Sequence, residues 1–288
     1  MTSSHAHDEQ LLDINGVTLC AQTFGDPAAP ALLLIGGAEA SMDWWDDEFC
    51  SRLANGGRHV VRYDTRDTGR STTYAPGSPT YGRDALLADA VGLLDALGVS
   101  AAHVVGVSMG GDIAQRLAVR HPERVTSLTL MATSPGGTDL PPMSQELAEK
   151  FAAGGDEAPD WADREAVIAY YTDGEHTFAG TIPVDEEWVR RVAGKAWDRS
   201  PSLASAQNHW LLDDGESVSD RLAEITAPTL VLHGTADPLL PYGHGEALSW
   251  AIPEARLVPL QGMGHGMPPS EVWDTAISEI LAVSEAGR

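Results

Sequence analysis

Lysine is almost missing from this 288-residue chain: Lys150 and Lys195 are the only two. Arginine supplies the other cations, against 42 aspartates and glutamates, for a formal net charge of −24. A surface this acidic repels nucleic acid and anionic membranes and favours neutral or cationic substrates. Cysteine is scarce too. Cys20 and Cys50 are the only two, too few for a disulfide framework or a zinc site, and they read as small core residues of a reduced, cytoplasmic protein. No run of about 18 apolar residues occurs, so no membrane span is expected. The first ten residues have neither a basic start nor an apolar stretch, which argues against a secretory signal. His5 and His7 there read as part of a loose tail rather than a metal site.

What remains is a chain that is 43% hydrophobic, enough for a sizeable core, at a length that suits one large α/β domain with an insertion. Residues 11–14 and 17–22 flank Asn15-Gly16, a dipeptide that favours the tight turn of an antiparallel hairpin. Apolar runs at 31–35, 59–63, 102–107, 128–132, 229–233 and 256–260 read as buried strands. The spacing predicts a helix over 84–97, capped by Asp84, with Leu87, Ala90, Val91 and Leu94 on one face and Gly98 as its stop. Another is expected over 270–282, with Trp273, Ile277 and Ile280 aligned. Alternation of this kind implies a mostly parallel sheet with helices on both faces.

The rhythm breaks between Pro135 and Ser219, where no strand can be read. Asp160 is expected to cap a helix carrying Trp161, Val167, Ile168 and Tyr171. Asp185 is expected to cap another carrying Trp188, Val189, Val192, Ala196 and Trp197. Residues 202–212 read as a third. The expected organisation is a core of 1–134 and 220–288 with a helical cap, 135–219, inserted after the sixth strand.

The chemistry concentrates at Gly106-Val107-Ser108-Met109-Gly110. The run 103–107 leads in as a strand and 111–120 leaves as a helix, so Gly-x-Ser-x-Gly forms a sharp strand-to-helix turn that lifts the serine oxygen above the sheet. A serine needs a histidine base, and the base needs an orienting carboxylate. Asp237 follows the strand 229–233 and His265 follows the strand 256–260, so Ser108, Asp237 and His265 fall in the order this architecture requires. Asp64 and Asp139 are rival carboxylates that follow or precede the wrong strands; His233 and His244 are rival bases. The developing oxyanion calls for two donors. The N–H of Met109 is one, and the glycine-rich exit Gly36-Gly37-Ala38 offers the other, with Gly37 favoured. Candidate substrate contacts are Ala38, Trp44, Trp45, Met263, Trp188 and Trp210. Most tryptophans are expected to glue the insertion, which also carries Tyr170 and Tyr171, to the core, and Met109 and Met263 to form flexible walls. Arg66 and Asp67 read as an ion pair or loop bonds.

On these residues the chain resembles the α/β-hydrolase superfamily over essentially its whole length. The segment Arg62-Tyr63-Asp64-Thr65-Arg66-Asp67-Thr68-Gly69-Arg70-Ser71 is similar to the motif that follows a strand in that superfamily, and Ile35-Gly36-Gly37 stands where His-Gly is commoner. A closer resemblance, through Gly25-Asp26-Pro27, Gly36-Gly37, residues 62–72 and Gly262-Met263-Gly264-His265, is to the aclacinomycin methylesterases. The resemblance implies a metal-free serine carboxylesterase without cofactor, acting on a small hydrophobic or aromatic ester such as a polyketide methyl ester. The expected form is a monomer or homodimer. The same triad also serves lactone hydrolysis, C–C bond hydrolysis and perhydrolysis, and the fold also serves as a ligand receptor without turnover.

Overall fold

The computed structural model describes residues 6–137 and 139–286; His5 lies outside them. Among the described residues, eight strands form one sheet: β1 (Gln10–Ile14), β2 (Val17–Phe24), β3 (Ala31–Ile35), β4 (His59–Tyr63), β5 (Ala102–Val107), β6 (Val125–Met131), β7 (Thr229–Gly234) and β8 (Arg256–Leu260). Their spatial order is β1-β2-β4-β3-β5-β6-β7-β8. β1 and β2 form the hairpin turned by Asn15-Gly16, both with positive φ. β2 also runs antiparallel to β4, and every neighbouring pair from β4 across to β8 is parallel. The helices are α1 (Asp47–Asn55), α2 (Arg83–Ala96), α3 (Met109–Arg120), α4 (Gln145–Ala152), α5 (Arg164–Phe178), α6 (Glu186–Arg199), α7 (Gly243–Ala251) and α8 (Trp273–Ala286).

The central strand β3 is a continuous apolar run, buried at every position, because both faces of the sheet are covered there. In β3, Leu33 and Ile35 enter one core with Leu86, Leu93, Ile113 and Leu117 of α2 and α3. Leu32 and Leu34 point the other way, to Phe49, Leu53, Ile277 and Ile280 of α1 and α8.

Five local expectations are corrected. Gly82, not Asp84, stands at the N-cap of α2; Asp84 lies in its first turn and pairs with Arg120 at 2.8 Å. α5 is capped by Asp163, whose carboxylate accepts from the N–H groups of Glu165 and Ala166, while Asp160 accepts from Ala162 N–H just before it. Residues 270–272 form a 3-10 turn, so the last α-helix begins at Trp273. The segment Leu203–Leu211 is also 3-10. The tail is not loose from Ala6 onward: Ala6 bridges to Phe24 and His7 N–H donates to Thr23 O over 2.8 Å.

Between β6 and β7 the described residues contain α4, α5, α6 and 3-10 turns but no strand. Asp185 caps α6 through the N–H of Trp188, as its sequence predicts. Several contacts join this segment to the rest of the chain, two of them near α6. Trp44 packs between Tyr171 and Trp188, with ring centroids 5.6 Å apart in each pair. Arg199, at the end of α6, pairs with Asp43, Glu9 and Asp64, the last two at 2.8 Å. No helix of the described residues is long and apolar enough to cross a membrane.

Candidate active site

The strand order reverses around β3: the chain steps from β3 to β4 on one side and returns to β5 on the other. The crevice beyond the C-terminal ends of β3 and β5 is the place where an open α/β sheet accepts a ligand. Gly37 leaves β3 there and Ser108 leaves β5.

Ser108 holds φ +52 and ψ −116, an unfavourable backbone for a residue with a side chain. The neighbouring glycines make the turn possible. A Cβ on Gly106 would come within 2.2 Å of Gly110 O, and one on Gly110 within 2.3 Å of Ile35 O. Backbone packing therefore leaves no room for a side chain at either position.

The Ser108 hydroxyl donates to His265 Nε2 over 3.0 Å. His265 Nδ1–H donates to Asp237 Oδ2 over 2.9 Å. The other carboxylate oxygen of Asp237 accepts from Leu239 N–H at 2.9 Å and Leu240 N–H at 2.8 Å. Asp237 is buried and held at both oxygens, which fixes the imidazole tautomer. The three residues come from the loops after β5, β7 and β8.

The rival groups are committed elsewhere. Asp64 accepts from Met42 N–H and Arg70 N–H at 2.8 and 2.9 Å besides its pairing with Arg199. Asp139 is exposed. His233 Nε2–H donates to Leu240 O over 2.7 Å, and burial pushes its pKa down. His244 bonds Ser134 Oγ and Pro141 O.

Among the described residues, the N–H groups of Gly37, Ala38 and Met109 donate to no backbone carbonyl outside the regular helices and strands. The Gly37 Cα lies close enough to Ser108 that a Cβ there would stand 3.5 Å from Ser108 Cβ. A turn at Glu39, φ +64, closes this loop. Glu39 N–H donates to His209 Nδ1 over 2.9 Å, so His209 carries its proton on Nε2 and donates it to Arg66 O over 2.8 Å. Burial holds the His209 pKa down, in keeping with a neutral ring. The Glu39 carboxylate accepts from Gln207 Nε2 at 2.5 Å and from Trp210 Nε1. Sequence reasoning missed His209 and Glu39, because nothing local in residues 203–211 marks a partner 170 positions away.

Ser108, His265, Gly37 and Ala38 open onto a cavity of about 430 Å³ walled by Trp44, Phe151, Tyr170, Tyr171, Phe178 and Trp210. Its aromatic lining suits a flat apolar ligand. A second cavity of about 330 Å³ also borders His265 and is lined by Met263 and Trp188 among others. Glu175, Phe178, His265 and Met267 form the wall common to both. Trp45 borders neither: it is 1% exposed and stacks on Phe49 at 5.7 Å, which makes it a core residue. The Met109 side chain likewise packs into the core and is no cavity wall. Arg66 pairs with Asp89, not Asp67, at 2.6 Å. Asp67 accepts from Tyr74 N–H, Tyr81 O–H and Asn208 Nδ2.

A family model described as the α/β hydrolase fold matches residues 30–269. The chain is 36% identical over 278 residues to a rhodomycin D methylesterase of Streptomyces sp. (strain C5), covering 88% of this chain and 90% of that protein. It is 34% identical over 273 residues to the rhodomycin D methylesterase of Streptomyces peucetius, at the same coverage of 88% and 90%. Similarity extends, at 35% over 185 residues, to a 2-hydroxy-6-oxo-6-phenylhexa-2,4-dienoate hydrolase of Comamonas testosteroni, covering 60% of this chain and 59% of that one. Among solved structures, a hydrolase from Pseudomonas aeruginosa PA01 superposes with a TM-score of 0.73 at 26% identity, covering 96% of this chain and 98% of that one. The chain belongs to the α/β hydrolase fold family.

Proposed function

We propose that this protein is a serine carboxylic-ester hydrolase that cleaves a methyl ester of an aromatic acid, with residues 135–219 forming a cap over the core segments 1–134 and 220–288. The observation that carries the reading is the continuous hydrogen-bonded line from Ser108 Oγ through His265 to Asp237. The likeness to two methylesterases over most of the chain supports the ester as substrate.

In this scheme His265 Nε2 takes the proton of Ser108 as its oxygen attacks the ester carbonyl. The imidazolium is stabilised by Asp237, which stays ionised. Negative charge developing on the carbonyl oxygen is met by the N–H of Met109 and that of Gly37 or Ala38, a contribution worth about 10²–10³ in rate for each donor. His265 returns the proton to the departing alkoxide. Water, deprotonated by His265, then cleaves the acyl-enzyme and releases the acid. The mechanism calls on no metal or cofactor.

Hydrolysis of p-nitrophenyl esters from acetate to octanoate, with Ser108→Ala alongside, tests the reading. Turnover abolished in the variant is expected, and the chain-length profile then sizes the acyl side of the cavity. Turnover equal to that of Ser108→Ala sinks it. The likeness to the Comamonas hydrolase favours C–C bond cleavage as a second reading. A vinylogous diketone cleaved while simple esters stay untouched decides for that reaction.

A further inference from the structure

The loop that carries His265 is held from two directions, and only one of them belongs to the sheet. Toward the sheet it meets the exit of β7. Gly262 N–H donates to Thr235 Oγ1 over 2.8 Å and Ala236 N–H donates to Met263 O over 3.1 Å, so the loops of His265 and Asp237 are bonded directly. From the other direction comes the link between α5 and α6. Thr181 and Ile182 donate their N–H groups to Gly262 O over 2.8 and 3.2 Å, and the N–H of His265 itself donates to Phe178 O over 2.9 Å. The backbone N–H of His265 is thus anchored on a carbonyl of the insertion.

The two backbones cross at glycines. A Cβ on Gly180 would stand 2.3 Å from Gly262 O and 2.7 Å from Gly264 N, and one on Gly264 would stand 2.2 Å from Phe178 O and 2.3 Å from Gly180 N. Those neighbours are main chain, which no change of rotamer moves aside, so a side chain at the crossing forces the two loops apart. Phe178 works in two ways at once. Its carbonyl holds the His265 backbone, and its side chain lines both cavities, with the ring centroid 6.1 Å from that of His265. A shift of the link moves His265 away from Ser108, which is fixed by β5 and α3, and a misplacement of about 1 Å in a reacting group costs about 10² in rate.

We propose that residues 178–182 position His265 for its proton exchange with Ser108, with Gly180 as the positioning residue, so that the insertion sets the rate of bond cleavage as well as the shape of the ligand space. The proposal deepens the esterase reading and rests on it for the role of His265, while the tie between the two backbones can be tested without turnover.

Gly180→Ala is the test variant, read in three ways. Hydrolysis of p-nitrophenyl acetate separates kcat from KM. A small dialkyl fluorophosphate reports on Ser108 and His265 alone: Ser108 Oγ bonds to phosphorus, the P–F bond breaks, His265 accepts the serine proton and fluoride leaves. The low-field proton NMR signal of His265 Nδ1–H reports its bond to Asp237 with no reaction at all. In Gly180→Ala, kcat and the phosphorylation rate are each expected to fall about 10- to 100-fold while KM changes less than about threefold, and the low-field signal is expected to shift or vanish. Lys195→Ala, which loosens the insertion at Asp43 instead, should leave both rates as they are. A Gly180→Ala variant that changes only KM or Tm overturns the proposal, and so do equal rate losses in Lys195→Ala. Should Gly180→Ala fail to fold, amide exchange in the wild type decides. The N–H groups of His265, Thr181 and Ile182 should exchange together, at least about 10²-fold slower than free amides, and exchange of His265 at the free rate overturns the tie. A wild type that neither hydrolyses esters nor takes up the phosphoryl group, with a low-field signal that Gly180→Ala alters, sinks the esterase reading and upholds the positioning of His265. Ester turnover that Gly180→Ala leaves intact does the reverse.

Discussion

Glu39 N–H donates to His209 Nδ1 across 170 positions of sequence. The bond ties the loop that presents Gly37 and Ala38 to the 3-10 segment at the end of the insertion. The same ring anchors to Arg66 O, so one buried imidazole links three separate stretches of chain. His209→Ala leaves the Glu39 N–H and the Arg66 carbonyl without partners, at a cost of about 1–3 kcal/mol for each unsatisfied group. On the proposed mechanism the freed loop carries an oxyanion donor, so kcat is expected to fall about 10- to 100-fold with little change in KM. Steady-state kinetics on a variant shown to be folded checks this; a change confined to KM contradicts a positioning role.

Ser108, His265 and Asp237 are expected to act as one unit. Ser108→Ala and His265→Ala should each lower kcat by about 10⁴–10⁶, and the double variant little further. Additive losses in the double variant contradict the shared line of hydrogen bonds.

The Ser108 turn leaves no space at Gly110, where a Cβ would stand 2.3 Å from Ile35 O and 2.5 Å from Gly36 O. Gly110→Ala must push the exit of β3 away from Ser108. Loss of activity is expected with a stability cost of about 1–3 kcal/mol, the range for overpacking. Chemical denaturation paired with activity separates the two effects. An alanine variant as active and stable as the wild type refutes the close approach.

Glu175 makes stability depend on pH in a defined direction. Burial raises its carboxyl from 4.5 to about 7. The folded state therefore keeps a proton that the unfolded chain has already lost. The stabilisation is complete below about 4.5 and disappears as pH rises through about 7. Glutamine never ionises, so Glu175→Gln should match the wild type in Tm at low pH. Above pH ~7 it should exceed the wild type by several degrees. A Tm difference that stays constant across this range contradicts a carboxyl raised by burial.

Burial pushes the thiols of Cys20 and Cys50 up to about 12. Thiolate is the reactive form, so both should resist a disulfide reagent near neutral pH while the chain is folded and react on unfolding. Fast labelling of the native protein at either position contradicts their burial.

Much of this architecture was legible because its signals are local. Asn15-Gly16 demands the hairpin, and the continuous apolar runs of β3, β4 and β5 match sheet covered on both faces. Asp185 caps α6 because a short carboxylate directly before a helix reaches its free N–H groups. The same rule named Asp160 where Asp163 does the capping: both precede α5, and position alone does not rank them. Trp45 and Trp44 are adjacent in sequence, yet one is sealed in the core and the other packs against the insertion. Alternation along the chain allows either assignment.

The sequence by itself determined the strand-to-helix turn at Ser108 and the chain order of Ser108, Asp237 and His265, because each depends on a few contiguous residues and on which strand they follow. Only the tertiary structure decided that Glu175 faces the cavity, that His209 holds the Glu39 loop, and that Asp64 answers to Arg199 rather than to a histidine. Those assignments depend on how the insertion settles on the sheet. That docking is set by side-chain packing and charge pairing between segments more than a hundred residues apart, for which no local pattern in the sequence carries the information.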